Sequence, residues 1–175
     1  MNQPTPAEVL RRLRPVPTYR GHPATKGRDV VGVDPGGTPR RVHIVGSTDP
    51  VLLLFLSSTC LGCRDFWEGA GALPAALPGV RVVVVTHDPG REDPAAIAGL
   101  AAAGGGAAGE GTAGADGAAG ADVVMSSAAY VDYGVGGPPS FAVTVGSVVR
   151  TEGVAWGVSE TAEVVRRALA ELAAP

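Results

Sequence analysis

The sequence predicts an α/β fold with a central mixed sheet flanked by helices and an N-terminal β-hairpin extension. Two short apolar runs, Val51–Leu56 and Val80–Thr86, have the length and composition of buried strands and are separated by a helical segment. A helix, a third strand, another helix, a second hairpin and a closing helix follow. That order requires both parallel and antiparallel pairing. With 175 residues, the chain is long enough for one domain with a full core.

Residues 1–26 read as a short helix over Thr5–Arg14, with Pro6 in its first turn, and an irregular lead-in from Pro15 to Lys26. Residues 27–175 form the domain proper. Val30–Val33 and Arg41–Val45 flank Asp34-Pro35-Gly36-Gly37 and predict a hairpin. Val51–Leu56 is the first core strand. Leu61 to about Ala72 is a helix with Phe66 and Trp67 as packing anchors, and Val80–Thr86 is the second strand. Pro94–Ala102 is a helix starting after Glu92-Asp93, which supply a cap. Residues 104–121, almost wholly Gly and Ala, hold no bulky apolar side chain and read as a flexible surface insertion. A phosphate-binding glycine loop would need a Lys and a preceding strand that this segment lacks. Val123–Ser126 is a short strand and Ser127–Tyr133 a short helix. Ser140–Val145 and Val148–Thr151 pair over Gly146-Ser147. Glu160–Leu172 is amphipathic, with Val164, Val165, Leu169 and Leu172 on one side.

The chemistry centres on Cys60-Leu61-Gly62-Cys63, which contains the chain's only two cysteines. Cys60 falls where a strand hands over to a helix, and Ser57, Ser58 and Thr59 offer N-cap chemistry there. Unpaired amides and the positive end of a helix dipole favour a thiolate at such a point. Cys63 lies one turn deeper on the same face and can attack a mixed disulfide formed at Cys60. A structural zinc site would need about four ligands. His22, His43 and His87 are the remaining soft partners, and none has finger or ribbon spacing. A purely structural bridge would close so short a loop that it removes little chain entropy.

Composition narrows the classes. The net charge is −3, and the one basic cluster, Arg11, Arg12 and Arg14, reads as a solvated helix face, so nucleic-acid binding is not expected. No segment approaches the ~18 apolar residues of a membrane span. The N-terminus lacks the charged-then-apolar layout of a signal peptide, so the chain reads as cytoplasmic.

Two separated segments carry a family resemblance: Phe55-Leu56-Ser57-Ser58-Thr59-Cys60-Leu61-Gly62-Cys63-Arg64 and Tyr133-Gly134-Val135-Gly136-Gly137-Pro138-Pro139-Ser140-Phe141. Together they resemble the thioredoxin superfamily, in particular its TlpA/ResA-like thiol-disulfide oxidoreductases and the similar MauD-type proteins. The resemblance implies a thioredoxin-like fold and redox-active Cys60 and Cys63. It implies a cis-proline at Pro139 facing the CxxC, with Gly137, Pro138 and Pro139 as the substrate-binding loop. Thr59, Leu61 and Gly62 complete the motif. Thr59 stands where many relatives have Trp, and Gly62 where many have Pro. Leu54 occupies the strand position that holds a buried acid in thioredoxins, and Phe66 the position of an acid in some ResA-like proteins. The candidates for a proton acceptor to Cys63 are therefore Asp65, Glu68 and His87. No cofactor is implied, because the cysteine pair cycles. The implied partners are a protein or small-molecule disulfide or dithiol and an upstream reductase or oxidase. Relatives are usually membrane-anchored outside the cytoplasm, which makes an extracytoplasmic location the alternative. Two other classes remain open. One is a peroxiredoxin-like thiol peroxidase, for which Ser57 stands three residues before Cys60 but Leu53 replaces the proline seven residues before it. The other is a redox-silent interaction module.

Overall fold

The computed structural model describes residues 26–104 and 121–173. The Thr5–Arg14 helix, most of the lead-in and the body of the Gly/Ala insertion lie outside the described residues. Among the described residues seven strands form one sheet: β1 (Val30–Val33), β2 (Pro39–Val42), β3 (Pro50–Phe55), β4 (Arg81–Thr86), β5 (Asp122–Met125), β6 (Ser140–Val145) and β7 (Val148–Val154). Their order is β2-β1-β5-β4-β3-β6-β7. The helices are α1 (Arg64–Gly69), α2 (Leu73–Ala76), α3 (Pro94–Ala103), α4 (Ser127–Asp132) and α5 (Val158–Ala173).

β3 lies inside the sheet, parallel to β4 and antiparallel to β6. Side chains alternate across a strand, so its apolar run feeds two cores. Leu52, Leu54 and Leu56 pack with Cys63, Phe66 and Trp67 on one face. Leu53 and Phe55 pack with Tyr130 and Tyr133 on the other. A strand buried on both faces reads as a continuous apolar segment rather than an alternating one, which is why this strand was legible. Each such fully buried Leu or Phe contributes about 1.5–3 kcal/mol relative to exposure.

The hairpin forms with its second strand earlier than expected, at Pro39–Val42 rather than Arg41–Val45. Asp34 closes the turn tightly. Its amide donates to the Thr38 carbonyl, its carbonyl accepts from Gly37, and its carboxylate accepts from the Thr38 amide. Gly37 sits at φ 85°, where only glycine is unstrained. Pairing therefore resumes at once, with Val33 opposite Pro39. Ile44 and Val45 leave the ladder because their amides donate to Asp29 Oδ1 at 2.8 and 2.9 Å.

Those two backbone donors, helped by Arg41, hold the Asp29 carboxyl down at about 2, against an ordinary value of 3.8. The carboxylate's stabilising effect is complete above the ordinary value and is lost as pH falls from there towards about 2. Asp29→Ala is expected to cost about 1–2 kcal/mol at pH 7, the lower end for charge-assisted hydrogen bonds at a partly solvated site. Thermal unfolding stepped from pH 5 to pH 2 should be flatter for the variant than for the native chain. Equal slopes would show that the carboxylate contributes nothing.

Elsewhere the elements follow the sequence with small shifts. The expected helix Leu61–Ala72 is instead a series: a 3₁₀ turn at Leu61–Cys63, α1, a second 3₁₀ turn at Ala70–Ala72, and α2. Gly69, Gly71 and Pro74 interrupt it, since glycine is entropically costly and proline removes a donor inside a helix. β7 runs to Val154, three residues past expectation, because Ser140 to Val143 keep pairing with it. The ends of the Gly/Ala segment belong to the fold: Gly104 caps α3 and Ala121 is buried. A Cβ on Gly104 would collide with the Trp67 carbonyl.

Candidate active site

β3 delivers the chain to the site, and Leu56 still donates its amide to the Val85 carbonyl. Cys60 follows in an extended conformation as the N-cap of the Leu61–Cys63 turn, and Cys63 donates its amide to the Cys60 carbonyl at 3.1 Å. No side chain caps this turn, contrary to the expectation for Ser57, Ser58 and Thr59. The three are engaged elsewhere. Ser57 Oγ accepts from the Thr59 amide and shares a hydrogen bond with Thr59 Oγ1 at 3.1 Å. Ser58 turns to Glu92. The first amides of the turn thus have no side-chain acceptor.

Cys60 and Cys63 form a disulfide, with their Cα atoms 5.3 Å apart. Cys63 is fully buried in the core, whereas Cys60 is half-buried at its edge. Access is therefore asymmetric: solvent reaches Cys60 and not Cys63. Leu61, between them, is 87% exposed, an apolar side chain presented to solvent beside the disulfide.

Pro139 lies against the motif. A Cβ built on Gly62 would sit 3.5 Å from Pro139 Cδ, so the ring packs directly on Gly62. The Pro138–Pro139 peptide bond is cis. Gly137 accepts at its carbonyl from Ser140 Oγ at 2.6 Å, and the Pro139 carbonyl accepts from the Ala155 amide at 3.1 Å. The Pro138 carbonyl, between them, has no donor among the described residues.

The three acceptor candidates for Cys63 are scattered. Asp65 and Glu68, both exposed on α1, line an open surface cavity of about 480 Å³ with Trp156 and Glu160. His87 is half-buried and stacks on Tyr130 with ring centres 3.9 Å apart, and Tyr130 belongs to the core on the other side of the sheet from Cys63. Burial, then the neighbouring Arg91, holds the His87 imidazole below its usual range. Burial pushes the Tyr130 hydroxyl up, and that hydroxyl donates to the Leu56 carbonyl at 2.7 Å.

Glu92 was missed by the sequence reading. The sequence groups it with Asp93 as a helix cap, but Asp93 alone caps α3, accepting from the Ala95 amide. Glu92 is 7% exposed and accepts from Ser58 Oγ at 2.5 Å and from the Ser58 amide at 3.3 Å. The available signal was the doubled acid before Pro94, since only one of two adjacent acids can serve as the cap.

Solved structures with a similar fold include a thioredoxin-family thiol:disulfide interchange protein of Chlorobium tepidum. It is 17% identical, with 85% of this chain and 99% of that chain covered and a TM-score of 0.60. This chain has the thioredoxin fold. A secreted disulfide oxidoreductase of Mycobacterium tuberculosis, homologous to E. coli DsbE, has the same fold. It is 16% identical over 79% of this chain and 95% of its own, with a TM-score of 0.56. A peroxiredoxin-like protein from Aquifex aeolicus is also similar, at 14% identity, 83% and 86% coverage and a TM-score of 0.58. No family model matches the sequence, and no curated protein sequence does. Within this fold the described residues hold no helix long and apolar enough to cross a membrane and no group of three potential metal ligands.

Proposed function

We propose that the protein is a thiol–disulfide oxidoreductase that exchanges disulfides with a partner through Cys60 and Cys63. One observation carries the reading: the pair forms a disulfide in which Cys60 is half-buried and Cys63 fully buried, with Pro139 packed against Gly62 between them. In the reducing direction the Cys60 thiolate attacks one sulfur of the partner's disulfide. The other partner sulfur leaves as a thiolate and takes up a proton. Cys63 then loses its proton and attacks Cys60 Sγ, releasing the second partner sulfur. Two electrons pass to the partner and the Cys60–Cys63 bond re-forms. The oxidising direction is the reverse. The cysteine pair holds the electrons, and an upstream reductase or oxidase resets it. Solved neighbours described as a thiol:disulfide interchange protein and a secreted disulfide oxidoreductase support this class, and the latter supports the extracytoplasmic location over the cytoplasmic one.

Insulin reduction with dithiothreitol as electron source, run beside peroxide consumption, tests the reading. Accelerated insulin reduction without peroxide turnover is expected. Peroxide turnover alone would move the protein to the thiol peroxidases, and silence in both assays would make it a redox-silent module.

Pro138 should limit how firmly a partner strand is held. It has no N–H, so beside Pro139 the loop can accept through the free Pro138 carbonyl but cannot donate there. One missing hydrogen bond is worth about 0.5–1.5 kcal/mol. Stiffening by proline works the other way, but the Gly137 and Pro139 carbonyls already tie the loop down. Pro138→Thr is expected to raise kcat/KM for a disulfide peptide about threefold to tenfold, the rate equivalent of that bond. An unchanged or lower value would show that stiffness matters more.

A further inference from the structure

The carboxylate of Glu92 is buried. Its Oε2 atom accepts from the hydroxyl and amide of Ser58, and among the described residues no ion pair within 4.0 Å engages it. Its own backbone is fixed, since the Glu92 amide donates to the Asp88 carbonyl at 3.0 Å and Asp93 starts α3 immediately after. Ser58 is two residues before Cys60. At about 3.5 Å of chain per residue, the carboxylate lies on the order of 10 Å from Cys60.

We propose that Glu92 is a positioning residue that anchors the segment entering Cys60 through Ser58 and, by its negative charge behind that segment, raises the pKa of the Cys60 thiol. The proposal rests on the oxidoreductase reading of the cysteine pair and assigns what tunes it. The exposed turn amides favour the thiolate, and Glu92 opposes it. The other groups facing this region are His87 at the end of β4, Asp88 and Arg91 in the turn that carries Glu92, and Tyr130 on α4. Arg64, Asp65 and Glu68 follow the motif on α1 and are exposed. None of these is bonded to the Ser58–Cys60 segment. Removing the Glu92 charge therefore stabilises the thiolate and hence the dithiol form, making the disulfide a stronger oxidant.

The test is the pH dependence of Cys60 alkylation by iodoacetamide in the reduced protein. Glu92→Gln keeps an acceptor oxygen for Ser58 and loses the charge, and Glu92→Met loses both at similar volume. Each is expected to lower the Cys60 pKa by about half a unit to one unit, the Coulomb effect expected at this separation for an effective dielectric between protein and water. Glu92→Asp, which keeps the charge, should stay close to the native value. An unchanged Cys60 pKa in a folded Gln or Met variant overturns the proposal, whatever the melting temperature does. The readout needs no partner, so it stands apart from the insulin assay. A lowered pKa in a chain that fails to reduce insulin would uphold the role of Glu92 and sink the oxidoreductase reading.

Discussion

Changing Cys63 to serine will leave Cys60 able to open a partner disulfide but unable to release it. The buried sulfur at position 63 is the only internal nucleophile facing the mixed disulfide, because these are the chain's only two cysteines. Without it, release depends on a thiol arriving from solution. An aligned intramolecular group is worth effective molarities of about 10⁵ M or more, so turnover should fall by at least about 100-fold at millimolar external thiol. The variant should accumulate an adduct of protein plus partner that dithiothreitol dissolves and intact mass resolves. Cys60→Ser should give neither turnover nor adduct, since its remaining thiol has no access to solvent. An adduct on the Cys60→Ser protein and none on the Cys63→Ser protein would reverse the roles.

Trp67→Ala should be among the most damaging single changes outside the motif. Trp67 is 4% exposed in the core that also holds Cys63, and its indole N–H donates to the Ser57 carbonyl at 3.1 Å. It therefore ties α1 to the strand-end segment that leads into Cys60. Large-to-small changes of this kind cost about 3–5 kcal/mol. In a domain of this size that lowers Tm by roughly 10 °C. Trp67→Phe isolates the hydrogen bond and should cost about 1 kcal/mol. Calorimetry of the two variants separates the effects. A Trp67→Ala protein melting within about 2–3 °C of native, equivalent to about 1 kcal/mol, would show that the core closes around the gap.

How far the sequence revealed this follows from what each residue does. β3 and β4 were plain because strands buried on both faces leave uninterrupted apolar runs. The cap at Asp93 is local, and local chemistry is readable. The end of β2 was misplaced because it is set by Asp29, fifteen residues before Ile44, capturing two amides. Ser57 to Thr59 have good capping chemistry, yet a distant acid and a local hydroxyl pair claim them first. The two cysteines and the proline loop could be identified because the motif residues are contiguous within each segment. Their closeness through Gly62 and Pro139 is tertiary, and only the resemblance anticipated it. Glu92 belongs to no motif, and its partner lies thirty-four positions away, so nothing local marks it.

The most direct test of the central claim is a single-turnover thiol count. Fully reduced protein is mixed anaerobically with an equal amount of a disulfide substrate, quenched in acid, alkylated and weighed. For each substrate disulfide opened, one protein molecule is expected to lose two thiols and re-form the Cys60–Cys63 bond, while the substrate gains two. Substrate that stays oxidised beside protein that keeps both thiols, at a redox potential permitting transfer, would contradict it.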